Sequence, residues 1–126
     1  MRVLVLDYSG ILPWILEHAA GAGDEVEAVT TLEEAERAVR DHPPDAAVVS
    51  MTPAELPWGR FQHLCADQEP PVPVLWESCV HAGPREAGID PADGVALFLA
   101  KPVPRAVLQR ALRELRARSG HRLVPH

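Results

Sequence analysis

The amino-acid sequence predicts an α/β domain: a mostly parallel five-stranded sheet with helices on both faces. Three observations predict it. Short apolar runs recur without polar alternation, as in Val3-Leu4-Val5-Leu6 and Ala46-Ala47-Val48-Val49, which is how strands buried on both faces read. Stretches with apolar residues at helical spacing lie between those runs. The chain has 126 residues, 47% hydrophobic and 24% charged, enough for one domain with one core. Strands alternating with helical links pair in parallel through right-handed crossovers.

The elements follow in order. Arg2 to Leu6 is the first strand. Ser9 can cap a helix that carries Ile11, Leu12, Ile15, Leu16 and Ala19 on one face. Pro13 falls in its first turn, where a missing N–H costs little, and Gly21 and Gly23 stop it. Val26 to Val29 is a second strand. Thr31-Leu32-Glu33-Glu34 is a capping box. The helix it opens sets Leu32, Ala35, Ala38 and Val39 against Glu33, Glu36, Arg37 and Arg40, and Pro43-Pro44 ends it. Ala46 to Ser50 is the third strand. A Pro-bracketed loop from Thr52 to Trp58 precedes a short helix marked by Phe61, Leu64 and Cys65.

Val72 to Trp76 reads as the fourth strand. Pro73 is awkward inside it, because a central strand needs every N–H. Residues 81–93 contain Gly83, Pro84, Gly88 and Pro91, so the fourth helix should be short or irregular. Val95 to Ala100 is the fifth strand. Pro104 to Ala117 is the strongest helix, with Val107, Leu108, Ala111, Leu112 and Leu115 as its buried stripe. The domain is expected to span residues 1–118, with 119–126 a flexible C-terminal tail.

Composition narrows the function. No apolar run is long enough to cross a membrane, and the first residues lack a signal-peptide pattern, so a cytoplasmic protein is expected. Cys65 and Cys79 form no CxxC pair and the six histidines are scattered, so neither a metal site nor a cofactor is expected. The net charge of −6 hides a division. Up to residue 100 there are seventeen acids and five bases; from Lys101 onward there are seven bases and one acid. Blocks of this kind are a solvated face, a self-complementary interface or an anion contact.

In open parallel sheets ligands bind at the carboxyl ends of the strands. The residues of interest are therefore Asp7-Tyr8, Ser50, Trp76-Glu77 and Lys101. These positions resemble the response-regulator receiver domain, of the flavodoxin-like (CheY-like) doubly wound fold. The segments that carry the likeness are RVLVLD, HPPDAAVVS, PVPVLW and LFLAKPV, in register over about residues 1–118. The Lys101-Pro102 pair at the end of an apolar strand is the most specific. The resemblance implies strand order 2-1-3-4-5. It also implies site roles, position by position. Asp7 matches the first of two acids that help bind Mg²⁺, but Tyr8 replaces the second. Ser50 stands where the phospho-accepting aspartate would be, and Trp76 where a Ser or Thr would end strand four. Lys101 matches the lysine that follows strand five in the family, and Phe98 the switch aromatic, without a hydroxyl.

The chemistry of phosphoryl transfer requires an ionised carboxylate nucleophile and a Mg²⁺ clamp. Ser50 supplies neither. The sequence is therefore expected to be a non-enzymatic pseudo-receiver, a phosphorylation-independent protein-interaction module in bacterial two-component-type signalling. Lys101 is expected to pair with Asp7, while Trp76 and Tyr8 plug the vacated pocket. Two alternatives stand beside it: a receiver with a rearranged phospho-acceptor site in a phosphorelay, and a small-ligand sensor using the aromatic pocket. The basic face of the last helix, Arg105, Arg110, Arg113 and Arg116, is a candidate protein interface. The partner would be a signalling or regulatory protein, or a second copy through the last strand and last helix. Nucleic acid is disfavoured, since no helix-turn-helix or stacking aromatics accompany the arginines.

Overall fold

A computed structural model describes residues 2–7, 24–51, 56–78, 85–86, 88–89, the backbone of 96–100, and residues 106–107, 109–111, 113–115 and 117. Its strands are β1 (Arg2–Leu6), β2 (Glu25–Val29), β3 (Ala46–Ser50), β4 (Val74–Ser78) and β5 (Ala96–Ala100). They form one sheet in the order β2-β1-β3-β4-β5, and every neighbouring pair is parallel. This is the strand order that the resemblance implied. Helix α1 (Leu32–Asp41) lies between β2 and β3, and α2 (Trp58–Ala66) between β3 and β4. Residues 106–107, 109–111, 113–115 and 117 are also helical. The helix expected after β1 and most of the segment from 81 to 93 lie outside the described residues. Within the latter, Arg85, Glu86 and Gly88 are described as turn residues, and the Gly88 amide donates to the Arg85 carbonyl at 3.1 Å. Gly88 has φ +79°, which glycine adopts without a Cβ penalty.

The apolar side chains sort by alternation. Leu4, Leu6, Ala47, Val49, Val74 and Trp76 face the side covered by α1 and α2, where they meet Leu32, Ala35, Val39, Trp58, Phe61 and Cys65. Val3, Val5, Ala46, Val48 and Leu75 point the other way and are buried too. The sheet is therefore covered on both faces, as uniform apolar strands require. Leu115 of the last helical stretch is fully buried, as its stripe predicts.

Helix α1 starts as the capping box predicts. Thr31 is the N-cap, and its Oγ1 accepts from the Glu34 amide at 3.1 Å. The Glu34 carboxylate accepts from the Thr30 and Thr31 hydroxyls instead of the N-cap amide. The far end is held by Arg2. Its guanidinium donates to the Pro43 and His42 carbonyls and to Glu27, while its amide donates to Asp45. One side chain thus ties the start of β1 to β2 and to the link between α1 and β3.

Two expectations are corrected. Glu36 was assigned to the solvent face of α1 but is buried. Both its oxygens accept from Arg60 of α2, at 2.9 Å from Nε and 2.7 Å from Nη2, and Arg40 approaches to 4.0 Å. This bidentate geometry suits guanidinium and carboxylate. Hydrogen bonding to Glu36 raises the Arg60 pKa, and the Coulomb attraction adds to it. The fourth strand was placed at Val72 to Trp76 but runs from Val74 to Ser78. Pro73 therefore precedes the strand, and its missing N–H breaks no ladder. Among the described residues no helix is long and apolar enough to cross a membrane.

Candidate functional site at the strand ends

The register builds a polar row at the carboxyl edge of the sheet. Leu6 pairs with Val49, so Asp7, one residue on, stands beside Ser50. Ser50 is itself the Cα partner of Glu77. Adjacent strands lie about 4.8 Å apart. Asp7, Ser50 and Glu77 therefore form a carboxyl–hydroxyl–carboxyl row across three neighbouring strands. Alternation puts Ser50 and Glu77 on the same face, opposite Val49 and Trp76. Ser78 closes β4 opposite Ala100, the residue before Lys101.

All four side chains are deeply buried: Asp7 is 6% exposed, Ser50 2%, Glu77 3% and Ser78 1%. Buried polar groups are costly unless paired. None of the four lacks a partner. The backbone reinforces the corner: the Asp7 amide donates to Val29 at 3.1 Å, and the Met51 amide to Glu77 at 2.8 Å. These bonds carry the ladder one residue beyond β1 and β3, so the ends of the row are held by the sheet.

Trp76 does not belong to this row. It is fully buried on the helix-covered face, where its ring meets Trp58 and Phe61 edge-on at centroid distances of 6.4 and 6.1 Å. It cannot plug a strand-end pocket from there, so that expectation is corrected. Its Nε1–H is the one buried side-chain donor among the described residues without a hydrogen-bond partner. Trp58 is buried against it. Because β4 runs two residues further than expected, it ends in a hydroxyl residue, Ser78.

Phe98 lies in β5 as the Cα partner of Trp76. Arg110 and Arg113 are exposed on the last helical stretch. Tyr8, Lys101, Arg105 and Arg116 lie outside the described residues, and so does the expected Asp7–Lys101 pair. Sequence reasoning named Glu77 but placed it after the strand and not within it, and it missed Ser78. Pro73 was the signal that could have found them: starting the strand after the proline brings Glu77 beside Ser50 and Ser78 to the end.

Mg²⁺ binding of the kind the fold family uses does not fit the residues present. Such a site draws carboxylates from the pair after β1 and from the end of β3, and two of those three places hold Tyr8 and Ser50. Among the described residues no group of three or more His, Cys, Asp or Glu side chains could hold a metal ion.

No protein-family model matches the chain. No curated protein matches it by sequence. Solved structures do match it in fold. The chemotaxis response regulator CheY4 of Vibrio cholerae aligns with a TM-score of 0.73 at 21% identity, covering 90% of this chain and 97% of that one. The receiver domain of Francisella response regulator 1452 gives 0.72 at 20% identity, covering 94% and 98%. An orphan response regulator of H. pylori gives 0.73 at 19% identity, covering 91% and 95%. The chain is similar to these proteins in architecture over nearly its whole length, and its fold is that of the response-regulator receiver domain.

Proposed function

We propose that this chain is a pseudo-receiver: a cytoplasmic, non-catalytic interaction module in two-component-type signalling that works without phosphorylation. Ser50 carries this reading. It occupies the end of β3, where the fold's phospho-acceptor would be an aspartate, and it is buried between the strands that bear Asp7 and Glu77. The acyl-phosphate chemistry of an aspartate acceptor needs an ionised carboxylate as nucleophile, and the Ser50 hydroxyl is not one. Tyr8 in place of the second acid supports the same reading. Ser78 keeps a hydroxyl at the end of β4, so the site has lost its nucleophile and an acid but not every part.

The experiment is incubation with a small-molecule phosphodonor and Mg²⁺, followed by intact-mass measurement. The expected result is an unmodified chain. A stable adduct of one phosphoryl group, released by hydroxylamine, would overturn the reading. One observation favours a second reading, the rearranged phospho-acceptor: Glu77 supplies a carboxylate one strand over from the usual place. Mapping a hydroxylamine-labile phosphate to Glu77 would establish it. The aromatic ligand sensor loses its support, because Trp76 lies in the core.

A further inference from the structure

Two exposed patches of the described residues carry charge of opposite sign. At the free edge of the sheet, β2 carries Glu25 and Glu27, both exposed. Arg2 bonds both Glu27 and the His42 carbonyl, which brings the end of α1 against this edge. Asp41, the last residue of α1, is exposed there. A carboxylate in the last helical turn opposes the helix dipole, so its position does not serve the helix. An open cleft of about 410 Å³ runs between β2 and α1, walled by Glu27, Glu34 and Asp41 together with Arg2, Arg37 and His42. Arg2 is occupied by its own bonds. Arg37 is one turn before Asp41, but no ion pair joins them.

The opposite charge lies on the last helical stretch. Leu115 anchors its inner side, while Arg110 and Arg113, three residues apart, are exposed on the outer side. Neither has an ion-pair partner among the described residues. The sequence around them adds bases: seven from Lys101 onward against one acid, while the first 100 residues hold seventeen acids and five bases.

We infer that the partner of this basic helix is a second copy of the chain, docked head to tail, with Arg110 and Arg113 set against the Glu25, Glu27 and Asp41 edge of its neighbour. The two patches are different surfaces, so the contact is heterologous and leaves one patch free at each end. This differs from a symmetric pairing through the last strand and last helix. It rests on charge and not on the strand-end site, so it stands or falls separately from the absence of phosphorylation.

Sedimentation velocity on the full chain tests it, over a concentration series at low and at high salt. Concentration-dependent association is expected at low salt, with an apparent Kd that rises roughly tenfold or more at about 0.5 M salt as the charges are screened. The Arg110→Glu/Arg113→Glu variant and the Glu25→Lys/Asp41→Lys variant should each be monomeric, since all four positions are exposed and neither change disturbs the core. Mixed together, they should associate again, because each variant's altered patch then complements the other's. A wild-type chain that stays monomeric at low salt would overturn the inference, as would association untouched by salt or by the charge reversals. Retention of a monomeric chain on immobilised polyanion would instead assign the arginines to a foreign acidic partner.

Discussion

Trp76 and Glu77 are consecutive residues of β4, but they belong to two different regions. Trp76 faces the helix-covered side, among Trp58, Phe61 and the aliphatic residues of β1 and β3. Glu77 faces the other way and joins Ser50 and Asp7 at the strand ends. Both regions are buried, and different physics holds each. The apolar side is stabilised by area and close packing, which tolerate swaps of similar volume. The polar row is held by pairing, and one added charge upsets it. The comparison separates packing from the site: the aromatic cluster that joins α2 to the sheet lies on the face away from the row.

The comparison can be broken by mutation, and the effects should fall in order. Trp76→Ala removes a fully buried ring between two other aromatics and should cost about 3–5 kcal/mol by denaturant unfolding. A cost below about 1 kcal/mol would show that the aromatic cluster does not hold α2 to the sheet. Ser50→Asp places a third carboxylate between Asp7 and Glu77 in a buried row. It should destabilise the chain by about 2–4 kcal/mol at neutral pH, and acidification that neutralises the new carboxyl should recover part of the loss. An equally stable Ser50→Asp protein would mean that the row accommodates the aspartate it lacks.

Arg60→Ala leaves the buried Glu36 carboxylate without its bidentate donor and should lower the unfolding midpoint more than Glu36→Gln does. The reverse order would mean that the pair contributes through Arg60 packing instead. Gly59→Ala offers a smaller effect. A Cβ at residue 59 would meet the Gly88 carbonyl at 3.0 Å. Helix propensity favours alanine by about 1 kcal/mol, and moving the 85–88 turn opposes it, for a net change within about 1 kcal/mol. Trp76→Phe should be nearest to neutral. It loses ring volume but also removes the unpaired indole N–H, whose burial costs about 1–3 kcal/mol.

The same two regions differ in how far they could be read from sequence. The apolar one was legible. β1 and β3 run from Arg2 to Leu6 and from Ala46 to Ser50 as expected, because an unbroken apolar run marks a strand buried on both faces directly. Thr31 marked the start of α1 through a local bond. The polar row was only half legible. Asp7 and Ser50 could be placed because each ends such a run. Glu77 was singled out but not set beside Ser50, and Ser78 was missed, because the fourth strand was started at its first apolar residue, Val72, and not after Pro73. That two-residue difference moved Trp76 from the strand end into the core and brought Glu77 beside Ser50. Glu36 was misread for another reason. Helical periodicity shows which residues share a face, but not that Arg60 on a second helix neutralises a carboxylate there. Lys101 and Tyr8 lie outside the described residues, so their part in the site rests on sequence alone.

The central claim is that the strand ends no longer switch. Amide spectra of the labelled chain, recorded before and after addition of phosphodonor and Mg²⁺, test it most directly. The prediction is superimposable resonances for Asp7, Ser50, Glu77 and Ser78, with no new set of peaks from β4 or β5. Shifts that begin at these residues and spread along β4 and β5 to the last helix would contradict it.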